Sequence, residues 1–419
     1  MHRQILLQSL GRMVAAFCVS VAADRVAAET YLPLPSPDEF RFVGMTPDNE
    51  MLVASSVQKV LILEAGSGRI RFHGSYRDGV FQPHGISNDG KLLIGGGYGI
   101  HAFADTDLDD LSIYYCPVAG YLDGTFQRMT RRLDLRAHLP LNQSPDPRFF
   151  IHDVRDLGDG RFAVVGFVRD SNARTANRTH HAIVFSASEH RVLSAWNLDA
   201  RSKPIEDTGD STFPFAVSTE SRGRDDFRSF FSHFRIPIDS SAELQAANPV
   251  TVRGQVLATA RDAIHFFSMG TQGPFIGDAL TSKVDFLTRE SEILRGVAYY
   301  DLVQGHFSPD STLLAVSVWD ASVDPKSTFA LTKILYYHPL ETAEIYAVGS
   351  GEKIAAVDLR PTTEGRAPVF QVCGFSPDNR YLVTIAGTLK PVENGDGHQF
   401  VQQHGFCLWD IQSHRSNSE

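Results

Sequence analysis

The stretch Gly374-Phe375-Ser376-Pro377-Asp378-Asn379-Arg380-Tyr381-Leu382-Val383 decides how this chain is read. An apolar strand end runs into a tight turn built from Ser, Pro, Asp and Asn, and a second aliphatic strand follows, so the unit is a β-hairpin. It recurs. Gly44-Met45-Thr46-Pro47-Asp48-Asn49-Glu50-Met51-Leu52-Val53 and Gly85-Ile86-Ser87-Asn88-Asp89-Gly90-Lys91-Leu92-Leu93-Ile94 carry the same order, as does His306-Phe307-Ser308-Pro309-Asp310-Ser311-Thr312-Leu313-Leu314-Ala315. A shorter copy is Leu157-Gly158-Asp159-Gly160-Arg161-Phe162-Ala163-Val164. A hairpin that returns along the whole chain cannot bury its apolar faces alone, which points to stacked repeats.

Further strands follow most copies. Val60-Leu61-Ile62-Leu63-Glu64-Ala65-Gly66-Ser67-Gly68-Arg69, Lys333-Ile334-Leu335-Tyr336-Tyr337 and Phe406-Cys407-Leu408-Trp409-Asp410-Ile411 read as outer strands of four-stranded blades. The turn aspartates fall at 48, 89, 159, 310 and 378, and the long gap after Asp159 holds two diverged blades near Phe213 to Ile238 and Val250 to Phe275. The reading is an all-β propeller of four-stranded antiparallel blades, seven in number. At roughly 56 residues per blade against the usual ~40 to 45, long loops must be inserted. They are placed at 116–148, at 201–226 and at the helix-like Asp278 to Leu294. A ring must also close, so either Tyr31 to Leu34 or Phe40 to Val43 should join C-terminal strands.

The Phe-Ser-Pro-Asp turns and the Leu408-Trp409-Asp410-Ile411 ending resemble the WD-repeat and TolB-type β-propeller families. That resemblance implies a non-catalytic scaffold whose rim and central opening bind a protein or another macromolecule. The alternative is a propeller-type periplasmic enzyme, such as a quinoprotein-like dehydrogenase subunit or a hydrolase. Leu63-Glu64-Ala65-Gly66-Ser67-Gly68-Arg69 faintly resembles a quinoprotein blade-end turn, although three tryptophans do not supply that family's regular pattern.

Arg3 and Arg12 precede the small apolar run Met13 to Ala23, and Val26-Ala27-Ala28 offers the small side chains a signal peptidase needs. Residues 1–28 are therefore read as a signal peptide, leaving a single propeller domain over 29–419 in the periplasm or outside the cell; mitochondrial import is the rival address. No later stretch reaches roughly 18 uninterrupted apolar residues, so no internal membrane helix is expected. The composition, 42% hydrophobic and 21% charged, suits a globular core and excludes a disordered or collagen-like chain. A net charge of −10 disfavours nucleic acid as a partner.

Catalytic patterns are scarce. There is no Walker loop, Gly-x-Ser-x-Gly elbow, His-Glu-x-x-His or Cys-x-x-Cys. Gly95, Gly96, Gly97 and Gly99 lack the helix and acid of a dinucleotide site. Asp105, Asp107 and Asp109 begin like a calcium loop, but Asp110 stands where glycine is needed and Cys116 where the bidentate glutamate belongs. Asn142 and Asn177 open sequons that matter only in a eukaryotic secretory setting. Strand alternation from Ile86 and Phe307 sends His84 and His306 to opposite faces, which argues for hydrogen-bonded structural histidines and against a shared metal. Cys373 is placed between blades, on an innermost strand, and Cys407 on an outermost one, beyond disulfide reach. No cofactor, metal or catalytic residue is assigned. The one basic concentration, Arg128, Arg131, Arg132 and Arg136, is the expected docking surface for an acidic partner.

Overall fold

The computed structural model describes residues 29–35, 39–56, 58–97, 111–139, 147–170, 178–198, 212–222, 227–238, 243–246, 248–270, 273–287, 291, 293–294, 303–318, 321–323, 335–337, 339–361, 366–391 and 399–414. Antiparallel pairing divides them into seven units, numbered here I to VII and read from the innermost strand outward. Blade I holds Arg41–Met45, Met51–Ser55, Lys59–Glu64 and Ile70–Ser75, and blade II Gln82–Ile86, Leu92–Gly96, Ser112–Pro117 and Arg131–Asp134. Blade III holds Pro147–Gly158, Arg161–Asp170, Arg178–Ser186 and Arg191–Asn197. Blade IV is built on Thr212–Arg222 and Phe227–Pro237, and blade V on Val250–Thr259, His265–Gly270, Gly273–Asp278 and Val284–Phe286. Blade VI contains Val303–Phe307, Leu313–Val318, Thr342–Ala347 and Lys353–Asp358. Blade VII contains Val369–Phe375, Tyr381–Pro391, Gln399–Asp410 and, outermost, Glu29–Pro33. The fold is a seven-bladed β-propeller.

Closure uses the first of the two candidate segments. Glu29 to Pro33 pairs antiparallel with Trp409 to Gly405, so the chain's first described strand completes its last blade. Phe40, by contrast, leads into the innermost strand of blade I. Blades IV and V share one sheet, because Val250 to Arg253 pair with Phe227–Pro237 before the same strand continues at the centre of blade V. Gly254, at φ 137°, makes that change of direction; a Cβ there would meet the Met269 carbonyl oxygen at 2.1 Å.

The apolar core lies between blades. In Val60-Leu61-Ile62-Leu63, Leu61 and Leu63 pack toward Leu32 and Phe406 of blade VII, whereas Val60 and Ile62 pack toward Phe81 and Leu93 of blade II. Both faces of such a strand are covered, which is why the run is apolar without alternation.

The repeated turns share one mechanism. Ser87, Ser308 and Ser376 donate their hydroxyls to Asp89, Asp310 and Asp378 at 2.6, 2.6 and 2.7 Å, and each hydroxyl oxygen accepts the amide that begins the next strand. The residue after each aspartate sits at positive φ, and in two blades it is an asparagine that reaches the preceding blade. Asn379 Nδ2 donates to Asp310 at 2.7 Å, and Asn49 Nδ2 donates across the closure to Asp378 at 2.7 Å. Ser311 accepts the Asp262 amide of blade V at 3.0 Å, so the turns form an inter-blade belt.

Several local expectations need correction. Leu335–Tyr337 pairs with Ala321–Val323 in a separate hairpin, and Thr342–Ala347 takes the third place in blade VI instead. The 116–148 stretch is only partly insertion: two short helices, α1 (Val118–Leu122) and α2 (Phe126–Met129), lead into blade II's outer strand. Within 201–226, Thr212–Arg222 is the inner strand of blade IV, and within 278–294 the strand Val284–Phe286 replaces the expected helix. Cys407 lies on the third strand of blade VII, since Glu29–Pro33 occupies the outermost place. Asp105, Asp107, Asp109, Asn142 and Asn177 lie outside the described residues.

Candidate functional site

Two regions could carry binding. At the rim of blade II, Arg128 on α2 and Arg131, Arg132 and Arg136 on or just after the outer strand are all exposed. Arg131 and Arg132 stand opposite Tyr115 and Tyr114, so alternation sends them to opposite faces of that strand. Arg132 Nε donates to Ser112 Oγ at 3.1 Å, and Arg136 pairs with Asp134 at 2.9 Å. The Arg136 amide and guanidinium hold the Asp134 carboxyl below its ordinary range. An exposed pair of this kind contributes only ~0 to 1 kcal/mol, so Arg136 is held in place weakly. The four arginines thus line one edge without converging on a single point.

The second region is axial, and it depends on a repeated irregularity. The register slips at Phe42/Gly44, Pro83/Gly85, Ile151/Asp153, Val256/Ala258 and Val372/Gly374, placing Val43, His84, His152, Leu257 and Cys373 in bulges of five inner strands. A bulge re-aims the side chain it contains. The following glycines admit the next blade: a Cβ on Gly44 would meet Ile86 at 2.8 Å and one on Gly85 would meet Val154 at 2.6 Å.

Alternation is therefore broken at His84 and Cys373, though not at His306. Cys373 packs against the core between blades VII and I, as expected, and also lines two axial voids, while His306, on an unbulged strand, lines two as well. His84 faces the charges of Arg41 and His152. Burial first, then those charges, drives its pKa well below the ordinary value. Its expected hydrogen bonding is only half met, because Nδ1 is buried without a partner among the described residues. Burial lowers His306 to about 4, so both rings are neutral near pH 7. Burial pushes the Cys116 thiol up to about 11 and raises Cys373 and Cys407 as well; all three are free and protonated at neutral pH.

The first void, of about 600 Å³, lies between blades III and VI and is walled by His152, Arg155, Arg261, Phe215, Thr259 and His306. It shares His306 with a void of about 440 Å³ between blades VII and I, and Arg261 and Phe307 with a third of about 600 Å³ beside the hairpin turns. Among the described residues, no group of three or more His, Cys, Asp or Glu gathers to hold a metal. His265 Nδ1 donates to Asp262 at 2.6 Å, and this pair is a brace inside blade V. Sequence reading missed Arg155 and Arg261. The available signal was the degenerate turn Ala260-Arg261-Asp262-Ala263, which puts arginine where other copies have proline.

A depressed histidine pKa has a measurable consequence. The unfolded chain binds a proton at position 306 below about pH 6.5, whereas the folded ring refuses it until about 4, so stability falls as pH drops through that window. His306→Gln should remove on the order of 2 to 3 kcal/mol of this acid-side loss. Urea unfolding at a series of pH values checks it; an unchanged slope between wild type and variant would refute the assignment.

No family model matches the chain, and no curated protein matches it in sequence. Among solved structures, the β-propeller domain of the trilobed protease from Pyrococcus furiosus aligns over 87% of this chain and 97% of its own, with 12% identity and a TM-score of 0.44. Hsv2 of Kluyveromyces lactis aligns over 88% of this chain and 99% of its own, with 10% identity and a TM-score of 0.36. The first is described as having an open Velcro topology; in the present chain, Glu29–Pro33 closes the ring. No helix among the described residues is long and apolar enough to cross a membrane.

Proposed function

We propose that this propeller is an exported, non-catalytic binding scaffold that docks an acidic protein partner along the rim of blade II. The observation that carries the reading is the placement of Arg128, Arg131, Arg132 and Arg136: all four are exposed on one edge of a chain whose net charge is −10. Such a basic strip steers an acidic partner at long range and loses force in salt. The plainer role of these charges is to blunt an open strand edge against aggregation, which needs no partner.

The two roles separate in one experiment. Replacing all four arginines with Ala should leave the melting temperature nearly unchanged, because none of the side chains is buried. In affinity capture from the exported fraction, proteins retained by the wild type should be lost both in high salt and with the variant. A variant that captures the same proteins but aggregates faster would leave only the edge-guarding role.

Export is tested separately. The reading rests on Val26-Ala27-Ala28, which offers the small side chains a signal peptidase needs. The intact mass of the protein from its native compartment should correspond to a chain starting at Glu29; a chain retaining Met1 would refute it.

A further inference from the structure

We propose that the void between blades III and VI is a binding site for a small organic anion, one bearing a phosphate or carboxylate group, with Arg261 as its principal contact. The site lies apart from the arginine rim, and the proposal does not rest on the scaffold reading.

The charge distribution around the void carries the argument. In a chain of net charge −10, the permanent charges of its wall are Arg155 and Arg261 against a single acid, Asp153, and the buried His306 ring adds a neutral polar group. That acid is already neutralised, since Arg155 Nε donates to Asp153 at 2.8 Å. A second nitrogen of the Arg155 guanidinium is committed too: NH1 donates to the carbonyls of Pro214 and Arg261, the latter at 2.7 Å, and the group lies over the Phe215 ring at 5.4 Å. Arg155 therefore spans three blades and fixes the backbone that presents Arg261.

Arg261 itself has no such commitment. Its side chain makes no hydrogen bond or ion pair among the described residues, although it lines two adjoining voids. The nearest acids by sequence and fold are occupied. Asp262 accepts the amides of Ile264 and His265 and pairs with the His265 ring, Asp310 accepts from Asn379, and Asp378 accepts from Asn49. Arg261 is exposed, so its unused donors stand at the open mouth of the void, and a guanidinium is the side chain best matched to carboxylate and phosphate.

Size and lining set the occupant's class. A volume of about 600 Å³ lies within the range of small-molecule sites, and Phe307 and Ala258 add apolar wall beside the hydroxyls of Thr259 and Ser218. The acidic turns Asp310 and Asp378 border the third void, whereas on the His306 side the adjoining void is lined by one acid, Glu39, and one base, Arg41.

The test uses the full chain with pyrophosphate and citrate as probes, at matched ionic strength against sodium chloride, read by calorimetric titration and melting temperature. Saturable binding of pyrophosphate alone identifies a phosphate ligand, and of citrate alone a carboxylate ligand. Arg261→Gln should weaken that binding about 10- to 100-fold, as expected for loss of charged hydrogen bonds. It should leave the ligand-free melting temperature unaltered. Arg261→Lys should retain part of the affinity, and the four-arginine rim variant all of it. Absence of saturable binding by both probes, binding that survives Arg261→Gln, or binding lost in the rim variant would overturn the proposal.

Discussion

Deleting Phe406 to Ile411 should leave no folded ring. The strand they belong to is the hinge of closure, pairing with Tyr381–Pro391 on one side and with Glu29–Pro33 on the other. Phe406, Cys407, Leu408, Trp409 and Ile411 are at most 2% exposed, and burial of side chains of these kinds contributes about 1.5 to 3 kcal/mol each. Their joint loss, on the order of 10 kcal/mol, consumes a typical domain's whole stability. Trp409 also donates from Nε1 to Thr384 at 3.0 Å, and that hydroxyl would be left in an opened interface. Far-ultraviolet circular dichroism and size exclusion decide the matter: aggregated or expanded protein is expected, and a cooperative melt at the wild-type temperature would rule closure out as the source of stability. Removing residues 1–33 is a milder lesion. It exposes one strand edge and the pocket of Leu32, 0% exposed, and should yield folded protein that associates through the unpaired strand.

Closure was legible because it follows from repetition and from the need to satisfy strand edges. The turns at Asp48, Asp89, Asp310 and Asp378 were equally clear, since Ser, Thr, Pro and Asp act locally, through bonds within a few residues. The axial passage was not legible. It is assembled from inner strands far apart in sequence, and five of those strands carry a bulge that no alternation pattern can anticipate. One inserted residue reverses inferences about facing, so the alternation argument cannot be carried through His84 or Cys373. Blade V was placed near Val250 to Phe275, but its turn went unread for a different reason. Its turn keeps Asp262 but replaces serine and proline with Ala260 and Arg261, so the local chemistry that marked the other copies is half absent.

Replacing Glu344 should be the costliest single change away from the closure. Glu344 lies on the third strand of blade VI and is 1% exposed, an unusual place for a carboxylate. Alternation explains the direction it faces: Ala343 and Ile345 join the core shared with blade VII, while Tyr346 joins the core shared with blade V, and Glu344 shares the side of Tyr346. There it is fully engaged. Tyr346 donates its hydroxyl to Oε2 at 2.6 Å, Ser291 donates to the same oxygen at 2.5 Å, and Lys353 approaches Oε1 at 3.3 Å. Ser291 comes from the connection between blades V and VI and accepts the Leu294 amide at 2.8 Å, so one carboxylate ties that crossover to the blade it enters. Glu344→Leu keeps the volume but leaves two buried hydroxyls and an ammonium group without their acceptor. Breaking a buried charged pair in this way costs about 3 to 5 kcal/mol. Glu344→Gln retains an acceptor oxygen and should cost roughly half as much. Tyr346→Phe combined with Glu344→Leu should cost less than the two changes summed, because Tyr346→Phe removes a hydroxyl already orphaned by Glu344→Leu. Urea unfolding of the four variants, Tyr346→Phe alone among them, measures each term. A loss below about 1 kcal/mol for Glu344→Leu would mean that the carboxylate is incidental to the joint between blades V and VI.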